Sequence, residues 1–259
     1  MKQFCVFLIC AGALAAAATG TADTSDDDRV VRMLDEKLTA AQRNDACFAL
    51  RGNRSPEVVS AMRAALASQP VRACASRNLR AAEAIDEFRG ALGAPQPEVR
   101  AEAARQLGSF ERPEFIELLA KTAHDPNMLV AINAVMGLGE YRDRAALPYL
   151  LDLARGGGVV GVAALSRAAR FNDPATLPIA RNLLSTNDAP AKLLALKIVG
   201  DLGDAADLPR LREMAAKSQP VSAGARGFGL MPVVDLARVA KSAIAEIEKR
   251  TGHQEPKEK

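Results

Sequence analysis

A pattern that returns about every 30 residues constrains this chain more than any other feature. Val99-Arg100 is followed by Ala103 and then by Leu107-Gly108. Val71-Arg72, Ala75 and Leu79 repeat those offsets 28 residues earlier, and Arg43, Ala46 and Leu50 repeat them 29 residues before that. Going forward, Met128-Leu129, Ile132 and Met136-Gly137 lie 29 residues on, and Val159-Val160 with Ala163 comes 31 later. Ala191, Ala195 and Val199-Gly200 follow 32 after that, and Val221 with Ala225 opens a last, degenerate copy. A second signature fills the other half of each unit: Leu147-Pro148 with Leu150, Leu177-Pro178, Leu208-Pro209-Arg210-Leu211, and a looser Met231-Pro232. Phe115, Leu118 and Leu119 take the matching places without the proline.

Each half unit reads as a short amphipathic helix, because apolar residues recur at spacings of three and four. Pro97, Pro126 and Pro190 fall near the start of the first helices, and Pro148, Pro178 and Pro209 near the start of the second, where a missing N–H costs nothing. Gly108, Gly137 or Gly139, and Gly200 or Gly203 fall where the first helices end, a place for left-handed backbone. Asp173 and Asp204 then read as caps. Alternating β-branched runs are absent, so no sheet is expected. A two-helix unit of this length cannot bury both apolar faces alone, but stacked on its neighbours it can. The expected fold is all-α: an α-α superhelix, a right-handed α-solenoid of about seven helical hairpins over residues 39–250.

These units resemble HEAT repeats, in particular the short HEAT-like type of phycobilisome lyases. That pattern runs Pro-x-Val-Arg, paired alanines, Leu-Gly and later Leu-Pro-x-Leu. Pro97, Val99, Arg100, Ala103, Ala104, Leu107 and Gly108 match it without a gap. Pro126 to Gly139 and Ala189 to Gly203 match with substitutions, and the fifth unit lacks both the proline and the Leu-Gly. The resemblance implies a scaffold that binds a protein or peptide partner. Its alternative implication is a lyase, or a lyase accessory, acting on a tetrapyrrole-bearing protein.

Charge and composition narrow the function classes. Hydrophobic residues make up 49% of the chain and aromatic residues only 4%, so alanine, leucine and valine must fill the core. Phe4 to Ala18 is an uncharged apolar run after Lys2, followed by the polar and acidic stretch Thr19 to Asp28. This is the pattern of a secretory signal peptide over residues 1–22, with small-residue cleavage sites near Ala16-Ala17-Ala18 or at Ala22. A membrane anchor is the other reading of such a run, but about 15 apolar residues fall short of the roughly 20 needed to span a bilayer. The expected product is exported, periplasmic or secreted, and bacterial. The chain carries a net charge of +3, which drops by one with Lys2, so no field strong enough to hold nucleic acid or anionic lipid is expected. No span is expected in the mature chain. Asp26-Asp27-Asp28 before Arg29–Leu38 read as a leading helix after a linker, within residues 23–38, and residues 251–259 as a disordered tail.

Candidate chemistry is sparse. Gly156 to Gly161 spells a dinucleotide fingerprint, but a leucine-rich helix precedes it where that motif needs a strand, so it reads as a turn. Gly224 to Gly229 reads as a broken helix in the last unit. With two histidines, His124 and His253, no metal site, no cofactor and no catalytic residue is expected, and the chain is expected not to be an enzyme. Cys47 and Cys74 lie in the first helices of the first two units at a phase that suits a disulfide, and an exported compartment favours one. Two buried thiols, or a metal or catalytic thiol, are the alternatives. Aligning the second helices puts Glu117, Tyr149, Ile179 and Arg210 in one row and Ala120, Asp152, Asn182 and Glu213 in the next. Glu117, Tyr149, Asp152, Asn182, Arg210 and Glu213 are therefore the expected partner-binding residues. The arginines Arg63, Arg72, Arg77, Arg80 and Arg89 read as a solvated face.

Overall fold

The computed structural model describes residues 25–217, 220–222 and 233–252. The expected leader, Gly224 to Gly229, Met231-Pro232, His253 and the rest of the expected tail lie outside the described residues. The leading helix α1 spans Asp26–Leu34, starting on the acids themselves, three residues earlier than expected and ending before Asp35. Six hairpins follow. Their first helices are α2 (Ala40–Ala49), α4 (Arg72–Ala81), α6 (Pro97–Ser109), α8 (Met128–Leu138), α10 (Gly158–Ala168) and α12 (Ala189–Leu202). Their second helices are α3 (Pro56–Ala65), α5 (Ile85–Ala91), α7 (Ile116–Thr122), α9 (Leu147–Arg155), α11 (Leu177–Leu183) and α13 (Leu208–Ala216). The last helix, α14 (Leu236–Thr251), packs on both α12 and α13 as a further first helix would. Successive hairpins stack, α6 on α8 and α8 on α10, while each first helix also packs on the second helix before it, as α10 does on α9. This is the all-α solenoid expected from the repeat.

Local chemistry sets the helix starts. Thr39 and Gln42 form a reciprocal capping box at α2, and Ser55, Asn127 and Asp188 cap α3, α8 and α12, each satisfying an N–H that the first helical turn leaves free. Short 3-10 turns at Pro113–Phe115, Arg144–Ala146, Pro174–Thr176 and Ala205–Asp207 lead into α7, α9, α11 and α13. Asp173 and Asp204 cap two of them. Pro97, Pro190, Pro148, Pro178 and Pro209 lie in first turns, but Pro126 stands one residue before the cap Asn127.

One fully buried column runs through the second helices: Phe88, Leu119, Leu150, Ala180 and Leu211. An alanine column runs through the first: Ala75, Ala103, Ala134, Ala164 and Ala195. Small side chains there let helix axes approach, and glycine completes the approach. A Cβ on Gly108 would fall on the Cα of Gly137 across the α6–α8 seam, and one on Gly137 would meet the carbonyl oxygen of Ala104 at 3.1 Å and the Cα of Gly108 at 3.2 Å. A Cβ on Gly200 would meet the Cα of Ala243 in α14 at 3.1 Å. This corrects the expectation of left-handed caps: none of Gly108, Gly137, Gly139, Gly200 or Gly203 has a positive φ. The Leu-Gly of the motif is a contact between neighbouring units. The seams are uneven. α6–α8 and α12–α14 meet closely, whereas α10 and α12 share few close backbone approaches, and a cleft of about 270 Å³ opens between them, lined by Ser166, Arg170, Leu194, Lys197 and Leu202 among others.

Arginine joins the units a second way. Arg43 Nε donates to the Met33 carbonyl at 2.9 Å, Arg72 Nε to that of Leu66 at 2.7 Å, and Arg100 Nη1 to that of Ala94 at 2.9 Å. A guanidinium of one first helix thus closes the end of the helix before it, where carbonyls lack partners and the dipole is negative. Arg100 also grips Asp125 of the next unit through two bonds of 2.8 and 3.0 Å. Arg181 holds Asp207 the same way, at 2.8 Å twice. In the other direction Arg170 donates to Gly139 at 2.6 Å, and Arg250 to Gly200 at 3.0 Å and Gly203 at 2.6 Å.

Two expectations need correction at the carboxyl end. Pro220–Ser222 pairs antiparallel with Val233–Asp235, Val221 opposite Val234, so one short ladder exists where no sheet was expected. Val221 therefore lies in a strand and does not open a seventh helix. The seventh first helix is α14, whose N-terminus is capped by Asp235.

Gly108→Ala should lower stability by about 1–3 kcal/mol, the usual cost of overpacking a tight site. Gly93→Ala, whose new methyl meets only the Gly90 carbonyl oxygen at 3.7 Å, should change it little; urea unfolding followed by circular dichroism compares them. The hydrogen bonds from Arg100 hold the Asp125 carboxyl below its ordinary range. A depressed carboxyl stabilises the fold above its unfolded pKa of about 4 and loses that contribution as pH falls through the lower folded value. Asp125→Asn should therefore cost about 1–3 kcal/mol at neutral pH, and its deficit against the parent should close in strong acid when unfolding is repeated across pH.

Candidate binding surface of the second helices

The helix starts fix the register of the second helices. Ile85, Ile116, Leu147, Leu177 and Leu208 begin α5, α7, α9, α11 and α13, and the residue three further on is the buried column named above. From α7 on, the residue two further on gives a column of Leu118, Tyr149, Ile179 and Arg210, and five further on gives Lys121, Asp152, Asn182 and Glu213; in α5 the same places are Glu87 and Gly90. Tyr149 is 38% exposed, Arg210, Lys121, Asp152, Asn182 and Glu213 are exposed, and Leu118 and Ile179 are half-buried. Glu117 and Ala120 stand one residue short of these columns. The 3-10 turn before α7 puts Phe115 in the place of Ala146, so matching Phe115 to Leu147 by sequence slips the register by one.

Charge along the face is largely matched within it. Arg210 Nη1 donates to Glu213 Oε2 at 2.8 Å, and Lys217 Nζ to Glu213 Oε1 at 2.8 Å. These contacts, Lys217 first and then Arg210, hold the Glu213 carboxyl below its usual range. Asp152 lies 3.9 Å from Arg155.

Three depressions recur along one edge, where second helices end and first helices begin. One of about 500 Å³ is lined by Arg63, Gly90 and Gln96 among others. The next, about 350 Å³, is lined by His124, Asp125, Met128, Asp152, Gly157 and Val160 among others. The third, about 140 Å³, is lined by Lys192, Arg210, Glu213, Lys217 and Leu236 among others. The structure thus brings Asp152 to one depression and Arg210 with Glu213 to another, while Glu117, Tyr149 and Asn182 line none of the three. Sequence reasoning missed the exposed Met128, Leu129 and Val159 beside the middle depression. Their signal was visible: the apolar Met128, Leu129 and Val159 stand in the first turns of α8 and α10, where α6 has Pro97 and Glu98.

The glycine run closes the same depression. Gly156 caps the end of α9, and Gly157, with φ +69°, caps the start of α10. Only glycine holds that backbone cheaply, so the run is the tight turn expected of it. Cys47 and Cys74 form a disulfide, with Cα atoms 6.3 Å apart, joining α2 to α4. Both are buried, and Asn78 Nδ2 donates to the Cys47 carbonyl at 3.0 Å. Among the described residues no group of three His, Cys, Asp or Glu side chains could hold a metal ion, and no helix is long and apolar enough to cross a membrane. The bridge closes a loop of 27 residues, so the Cys47→Ser, Cys74→Ser double variant should lose about 3 kcal/mol, read as a lower urea midpoint that reductant no longer moves.

The family model of HEAT repeats matches residues 85–160, from α5 into α10, and the units within that span are HEAT-like repeats. No curated protein sequence matches the chain. Among solved structures, human deoxyhypusine hydroxylase in complex with glycerol is similar at 16% identity, covering 88% of this chain and 96% of that one, with a TM-score of 0.36. An engineered protein is similar at 16% identity, covering 87% and 97%, with a TM-score of 0.44. The CpcE–CpcF complex of phycocyanin lyase from a Nostoc species is similar at 18% identity, covering 89% and 97%, with a TM-score of 0.40. The expectation that the chain is not an enzyme is corrected: two of the three similar structures are enzymes by name.

Proposed function

We propose that this chain is an exported bacterial HEAT-like repeat scaffold that binds a protein or peptide partner along its second helices. The observation that carries the reading is the column Leu118, Tyr149, Ile179 and Arg210, exposed at Tyr149 and Arg210 and half-buried at Leu118 and Ile179, with the exposed Lys121, Asp152, Asn182 and Glu213 beside it. These side chains stand on successive units over one continuous buried column, so they offer contacts at one-unit spacing along a stiff backing. Tyr149 is the anchor: a rigid aromatic with a polar tip, suited to the centre of an interface. Leu118 and Ile179 extend its apolar strip, and the Arg210–Glu213–Lys217 group gives one end a polar rim. The face is too evenly balanced in charge to depend on phosphate contacts. Export rests on the apolar run Phe4 to Ala18, and a bridged Cys47–Cys74 pair suits an oxidising compartment.

The test is capture from the exported fraction on the immobilised chain, with partners identified by mass spectrometry. Tyr149→Ala and Arg210→Glu should each reduce the retained partner about tenfold. Unchanged capture by both would discard this face. Intact mass of the chain recovered from the same fraction should lack about 22 residues.

A further inference from the structure

The first helices carry a second surface, on which the scaffold reading does not depend. Phe48, near the end of α2, is 41% exposed although most of the aromatic side chains described are buried or half-buried. Two guanidiniums flank its ring, Arg51 on its own hairpin and Arg77 on α4, each 5.6 Å from the ring centroid. Neither arginine has an ion-pair partner among the described residues. Other arginines at this end are engaged: Arg54 donates to the Ala81 carbonyl at 3.0 Å, and Arg80 to the Ser109 carbonyl at 3.0 Å. The surroundings are one-sided in charge. Between Thr39 and Ala82 there are seven arginines and two acids, Asp45 and Glu57. Asp45 stands one turn before Phe48 on α2 and pairs with neither flanking arginine.

The disulfide ties together the two helices beside this patch. Cys47 precedes Phe48, and Cys74 lies one turn before Arg77. The two helices that carry the halves of the patch are thus tied by a covalent bond, which lowers the ordering cost of binding there. We propose that Phe48, Arg51 and Arg77 form a docking site for an acidic peptide segment that carries an apolar side chain between carboxylates. The apolar side chain would lie on Phe48, and the carboxylates would take the two open guanidiniums in the paired geometry arginine favours. Charge complementarity argues for that occupant. Nucleic acid fits less well, because two open cations around one ring make neither a phosphate-tracking groove nor a row of stacking platforms.

Fluorescence anisotropy of a labelled Glu-Glu-Phe-Glu-Glu peptide on the oxidised chain tests the site. Saturable binding should weaken about tenfold in Arg77→Glu and about fivefold in Phe48→Ala, and should weaken with salt. Arg142→Glu makes the same charge change on a distant exposed loop and should leave affinity within about twofold. Far-ultraviolet circular dichroism checks that each variant is folded. Absent binding, equal affinity in Arg77→Glu and Phe48→Ala, an equal loss in Arg142→Glu, or tighter binding of a single-stranded oligonucleotide of the same charge would each overturn the proposal. Because Tyr149 and Arg210 belong to the second helices, failure here leaves capture on that face untouched, and the reverse.

Discussion

The whole structure depends on one constraint: a pair of short helices exposes more apolar surface than it can cover by itself. Phe88, Leu119, Leu150, Ala180 and Leu211 are buried because the next first helix lies against the helix that carries each of them. The same need explains the small residues of the first helices. Alanine and glycine give up side-chain volume so that backbones can approach, and dispersion contacts between helices replace those that bulky side chains would make. A chain with so few aromatic residues can form a core this way only if its axes run close, which the Gly108–Gly137 contact achieves.

Charge does different work at different seams. Arg43, Arg72 and Arg100 turn the ends of the leading helix and of the first two units into acceptor sites for the following unit. From the fourth unit on the equivalent places are Ala131, Gly161 and Lys192, and the stack relies on Arg170, Arg181 and Arg250. Burial opposes ionisation of Asp207, yet the hydrogen bonds from Arg181 outweigh it and hold that carboxyl below its ordinary range. The polar seams are thus charge-assisted hydrogen bonds with partners supplied across the repeat.

Most of the helices were legible in the sequence, because apolar spacing, first-turn prolines and capping residues all pointed the same way. The failures have physical causes. A 3-10 turn leaves no mark in an apolar period, so α7 was read one residue out and Glu117 took the place of Leu118. Glycine at a helix end looks the same whether it frees a dihedral or removes a Cβ, so Gly108 and Gly137 were read as caps. Val221 kept the apolar spacing of a helix while its backbone pairs with Val234 in a ladder. On the candidate surface, exposure of Tyr149 could be inferred from its own helix. That of Phe48 could not, since it depends on how α4 lies beside α2.

The thin seam between α10 and α12 has a consequence of its own. In a linear stack each unit is held by its own stability and by coupling to two neighbours only, so the weakest coupling decides where cooperativity breaks. First helices approach sparsely at α2–α4 and α4–α6 as well as at α10–α12, while α6, α8 and α10 pack closely on one another. Melting should therefore leave the central block from α6 to α10 as the last cooperative unit, in place of a steady peel from either end.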